Sequence, residues 1–216
     1  MKEQLKVLFA NWKTVPNLLS FLRILMVPAF AVLFMNGYYG WSVFILALSG
    51  LSDFFDGKIA RRFNQISELG KILDPVADKL TQITIAVVLL ITFRKSQDPT
   101  IHAFSLVFIV FLLKEAVMVL GGLAMIILGL KPGAAEMPGK VATFAFYVIM
   151  IGIIAFGPDI GIFGKYFTIP TPVMIVLVCI AAILTLVAFC GYMPGVRQQL
   201  KDKKAKKLSE SGNAEQ

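Results

Sequence analysis

Apolar runs of about twenty residues recur along the chain, and few folds can accommodate them. A helix of that length spans the roughly 30 Å hydrocarbon core of a bilayer. In lipid every backbone polar group must be satisfied internally, so such runs must be helices. The first run is NLLSFLRILMVPAFAVLFMN, residues 17–36. Others are expected from Trp41 to Arg62, from Gly70–Pro75 to Phe93, over 101–129, from Lys140 to Phe156, and over 172–192. Mean hydropathy is +0.79 and only 16% of residues are charged, against about a quarter in soluble domains. The reading is an all-α, polytopic membrane protein with six transmembrane helices.

The flanks complete the expected layout. Residues 2–13 mix charge with Leu5, Val7, Leu8, Phe9 and Trp12, which reads as an amphipathic helix lying in the interface. This start is too polar for a cleavable signal peptide. Three parts follow: an interfacial helix over 1–15, a membrane domain over 16–195, and a basic, partly disordered cytoplasmic tail over 196–216. The formal charge of +8 gathers beside the apolar runs, where it suits anionic headgroups and not nucleic acid. Most Lys and Arg fall in the N-terminus, the 58–71 connection, the 131–140 loop and the tail. By the positive-inside rule these face the cytoplasm, across the cell membrane. Cys179 and Cys190 share one apolar run and read as buried thiols; His102 reads as interfacial.

Four aspartates lie between the second and third runs, in DFFDGKIARRFNQISELGKILDPVAD. Asp53 and Asp56 are three apart; Asp74 and Asp78 are four apart. On helices each pair shares a face, and two facing helices could aim four carboxylates at one point. Such anions repel unless a cation joins them. The donor set suits Mg²⁺, Mn²⁺ or Ca²⁺ and not zinc. Gly57, Ala60 and Gly70 would leave room for a ligand near the backbone. Arg61 could grip a phosphate. Arg23 lies inside the first run, either snorkelling to the interface or facing inward to a phosphate or the carboxylates.

The stretch resembles the signature of the CDP-alcohol phosphatidyltransferase family, D-x2-D-G-x2-A-R-x8-G-x3-D-x3-D. Asp53, Asp56, Gly57, Ala60, Arg61, Gly70, Asp74 and Asp78 fill every fixed position. Pro16, Asn17, Leu19, Ser20 and Arg23 resemble a common opening of these enzymes. The resemblance implies attack of an alcohol on a CDP-linked lipid, with CMP leaving. It implies a two-metal Mg²⁺ or Mn²⁺ centre on Asp53, Asp56, Asp74 and Asp78, with Asp78 also the general base. It implies CDP-lipid contacts from Gly57, Ala60, Arg61, Gly70, Asn17 and Ser20, and a homodimer.

The run ILDPVADKL is most like the phosphatidylglycerophosphate synthase branch, whose acceptor is glycerol 3-phosphate. Arg23, Lys114, Lys131 and Lys140 are candidates for binding that small phosphorylated alcohol. Lys114-Glu115 also reads as a neutralised ion pair within the membrane. A further Arg common in that branch is replaced by Gly121-Gly122, which leaves phosphatidylglycerol open as the acceptor, as in a cardiolipin synthase. Intramembrane carboxylates also suit a divalent-cation transporter. Its acids would line a path, whereas these gather at one membrane edge.

Overall fold

The computed structural model describes residues 14–63, 65, 67, 69–128 and 137–213. Every regular element among them is a helix. They are α1 Val15–Met35, α2 Tyr39–Arg62, α3 Gly70–Arg94, α4 Pro99–Phe104, α5 Val107–Ile127, α6 Met137–Phe156 and α7 Thr171–Asn213.

Local chemistry sets several of these boundaries. The Thr14 side chain accepts from the Asn17 backbone N–H at 3.3 Å, capping α1, and Pro16 stands in the first turn where no N–H is needed. At the other end Gly37 has φ +80. This left-handed residue lets Gly37 N–H reach Phe34 O and Tyr38 N–H reach Leu33 O, closing the helix. α2 then runs back antiparallel against α1.

Helices α1, α2 and α3 form one packed group, and α6 packs along α7. α5 joins the two groups by touching α3 and α7, and α2 touches α6. α1 and α3 each have a polar end and an apolar end on the inner face, and α2 has Ser49, Ser52 and Asp53 toward one end. In α1 the buried residues pass from Asn17, Ser20 and Arg23 to Phe30 and Phe34. In α3 they pass from Ala77, Thr81 and Gln82 to Ile85, Leu89 and Phe93. Spacings of three and four keep each set on one face. α2 runs the other way, so its polar end meets those of its neighbours. At the apolar end Phe93, Phe108, Phe111 and Phe146 form a chain of ring contacts 5.2–6.1 Å apart. The outward faces carry Trp41, Phe44, Leu120 and Phe144, all exposed, a surface suited to lipid.

Among the described residues, five helical stretches are long and apolar enough to cross a membrane: Val15–Met35, Ile72–Arg94, Pro99–Met125, Gly139–Phe156 and Thr171–Lys203. The expected second span is absent from that set. α2 is one continuous helix of 24 residues, but its last ten residues include Asp53, Asp56, Lys58, Arg61 and Arg62. The expected fourth span is divided. Asp98 caps α4 by accepting from Thr100 N–H at 2.7 Å, and the chain turns at Ser105 before α5. Where a partly disordered tail is expected, α7 continues to Asn213. Gln, Leu, Lys and Ala there are good helix formers. Of the interfacial helix expected over 1–15, residues 1–13 lie outside the described residues, while Thr14 caps α1 and Val15 begins it.

Phe108 is fully buried between Phe93 and Phe111. Phe108→Ala should cost about 3–5 kcal/mol of packing, read as a lower melting temperature in detergent.

Candidate active site

The polar ends of α1, α2 and α3 meet around Arg23. Its side chain is only 3% exposed, and it bonds two aspartates on two other helices. Nη1 donates to Asp53 Oδ1 on α2, and Nη2 lies 3.4 Å from Asp74 Oδ1 on α3. The Ser20 hydroxyl, about one turn earlier on α1, contacts the same Asp74 oxygen. The carboxylates are much more open than the cation, with side-chain exposures of 52% and 44%. The guanidinium thus stands behind two anions that face outward. This disposes of snorkelling. It also puts Arg23 beside the carboxylates, on their buried side.

Asp78 is held differently. Gln82, one turn on along α3, donates to Oδ2 at 2.9 Å. Tyr147 of α6 donates to Oδ1 at 3.2 Å. Asp78 therefore does not share a partner with Asp53 and Asp74. Asp56, Gly57, Ala60 and Arg61 lie on α2, but their side chains fall outside the described part. Among the described residues no three acidic, His or Cys side chains gather as a metal cage. The donor chemistry nevertheless fits a divalent ion: Asp53 and Asp74 are oxygen-only ligands that already converge on one cation.

Gly70 has a different role from the one its sequence position suggests. A Cβ there would lie 2.6 Å from Asn17 Oδ1 and 3.0 Å from Ser67 Oγ. The Ser67 hydroxyl donates to Asn17 Oδ1 at 2.7 Å and accepts from Gly70 N–H at 2.9 Å. The glycine makes room for a neighbouring side chain that ties the start of α1 to the start of α3. Asn17 is buried in this tie.

Beside Asp78 lies a second charged group. Glu115 of α5 is buried and binds Lys79 at 2.9 Å and Lys114 through its other oxygen. Both lysines line an open pocket with Thr143, Thr185 and Tyr192. Lys140 is exposed on α6 and does not line that pocket. Lys131 lies outside the described residues. Sequence reasoning missed Lys79, Gln82 and Tyr147. Gln82 was readable as Asp78 plus one turn. Tyr147 gave no signal, because it arrives from a helix 69 residues away.

Gly70→Ala should lower stability by about 1–3 kcal/mol despite the better helix propensity of Ala. Adding Asn17→Ala should recover part of that loss, a non-additivity that denaturation of the two single and the double variants would measure.

Residues 13–188 match the CDP-alcohol phosphatidyltransferase family. A Salmonella paratyphi A protein named CDP-diacylglycerol–glycerol-3-phosphate 3-phosphatidyltransferase is 31% identical over 195 residues, covering 87% of this chain and 97% of its own. The like-named Shigella flexneri protein is 32% identical over the same shares. A Streptomyces coelicolor protein named cardiolipin synthase (CMP-forming) is 51% identical over 73 residues, 31% of this chain. The match spans about a third of that relative's length (34%), and 36% of a Mycobacterium tuberculosis relative. The chain belongs to the CDP-alcohol phosphatidyltransferase family.

Proposed function

We propose that the protein transfers a phosphatidyl group from CDP-diacylglycerol to glycerol 3-phosphate, releasing CMP. One observation carries the reading: Asp53 and Asp74 of the complete family motif converge on Arg23 with their carboxylates turned outward. The acceptor hydroxyl attacks the phosphorus that bears diacylglycerol. A new P–O bond forms, the bond to the bridging diphosphate oxygen breaks, and CMP departs. Asp78 takes the hydroxyl proton as the oxygen attacks. Gly57, Ala60, Arg61, Asn17, Ser20 and Gly70 form the CDP-lipid side of the site. For Asn17 and Gly70 the contribution is the tie described above. Asp53, Asp56, Asp74 and Asp78 would hold Mg²⁺ or Mn²⁺, which supplies neutralising charge on the diphosphate.

The acceptor assignment rests on two supports. The relatives named for glycerol 3-phosphate align over 97% of their length. The pocket beside Asp78 presents Lys79 and Lys114, which suit a phosphate monoester. Lys131 and Lys140 would add charge at its approach, and Arg23 would act from behind the carboxylates. A second reading, phosphatidylglycerol as acceptor, is favoured by the high local identity to the Streptomyces protein. Ion transport gains no support from any of these features. In the membrane, α2 completes a set of six spans. The site faces the cytoplasm across the cell membrane, where CDP-lipid and phosphorylated acceptors are available. The interfacial helix over 1–15, the membrane domain over 16–195 and the tail over 196–216 are its parts, and the protein works as a homodimer.

The test is CMP release by the purified protein with CDP-diacylglycerol, Mg²⁺ or Mn²⁺, and an acceptor screen. Glycerol 3-phosphate should support turnover and a chelator should abolish it. Turnover with phosphatidylglycerol alone would transfer the assignment to the second reading, and no CMP with any acceptor or metal would overturn both. Asp78→Asn should bind CDP-diacylglycerol and lose at least about 100-fold in kcat. Turnover like that of the unmodified protein would remove Asp78 from the base role.

A further inference from the structure

We infer that Tyr147 is a positioning residue for the transfer, fixing with Gln82 the plane of the Asp78 carboxylate. The inference rests on the base role proposed for Asp78. An aspartate side chain turns about two bonds, and one hydrogen bond leaves its plane free to swing. Here both oxygens are held. Gln82 donates to Oδ2 and Tyr147 to Oδ1, from two different helices. A carboxylate offers about four lone-pair sites. Two donors leave a site open on each oxygen, one for a cation and one for the acceptor proton.

The Tyr147 bond is a bridge and not a by-product of close helix packing. α3 and α6 are not among the helix pairs that pack along their lengths. The tyrosine spans the interval with its full side chain. Its ring is fixed edge-on against Phe146, centroids 6.0 Å apart and planes at 84°. The ring also packs against the buried core, which limits where the hydroxyl can sit. One turn earlier on the same helix, Thr143 lines the pocket shared with Lys79, the residue after Asp78. The bridge stands where the pocket meets the carboxylate.

Tyr147→Phe removes the hydroxyl and keeps the ring. The expected result is a kcat reduced about 10- to 100-fold, the scale of a carboxylate misplaced by a fraction of its working distance. KM for CDP-diacylglycerol, its binding without acceptor, and the melting temperature in detergent should each stay essentially unchanged. Gln82→Met should shift kcat in the same direction. A kcat within two-fold of the unmodified protein in both variants would overturn the inference. So would a loss confined to KM, or a Tyr147→Phe chain that no longer folds, since the hydroxyl would then be a structural need. Failure here is distinct from failure of the proposed function. In the first case the unmodified protein releases CMP and the variants match it; in the second it releases none, and both readings fall.

Discussion

The buried guanidinium of Arg23 is the constraint on which the site depends. Asp53 and Asp74 come from two helices and turn their carboxylates toward the same region. Without a cation between them the polar ends of α2 and α3 would repel. A lysine could bring one charge, but not a planar fork that reaches two helices at once. Placing that cation at the back keeps the carboxylates partly open. The repulsion is held in check, and the anionic face remains available.

This arrangement follows from how the helices are built. α1 and α3 carry polar residues on the inner face at one end and large apolar residues at the other, and α2 brings Ser49, Ser52 and Asp53 to the polar end. Short connections make α2 antiparallel to its neighbours, so the polar ends meet at one level. The apolar ends are locked by the Phe34–Tyr39 contact between α1 and α2 and by the ring chain through Phe93 and Phe108. The aromatic end gives the rigidity, and the polar end has the chemistry. α5, α6 and α7 then add a second polar region, the lysine-lined pocket, beside Asp78.

Much of this was legible in the residues, and the limits have physical causes. Hydropathy located the helices because lipid enforces a simple rule on backbone polar groups. The spacing of Asp74 and Asp78 correctly put them on one face of α3. Spacing could not say which partners they would choose, because those come from other helices: Arg23 for Asp74 and Tyr147 for Asp78. The turn at Ser105 was hidden inside a long apolar run, whereas α2 was located almost to its ends, although its charged last turns keep it out of the set apolar enough to span. Gly70 was visible as a small residue in the motif, but the occupant of its space was not. That occupant is Asn17, more than fifty positions earlier.

The buried Glu115 carries a thermodynamic corollary. One carboxylate there serves two ammonium groups, Lys79 and Lys114. Asp78 lies close enough to act on both lysines' surroundings, so two cations and two carboxylates balance there, and the remaining N–H donors of the lysines are what an anion in the pocket would meet. Any anion that fits the pocket therefore stabilises the folded protein as well as occupying a site. By linkage, a ligand at a hundred times its Kd adds about 2.7 kcal/mol to folding stability. The abundance of the anion and the persistence of the folded protein are then coupled quantities, and starvation for one erodes the other.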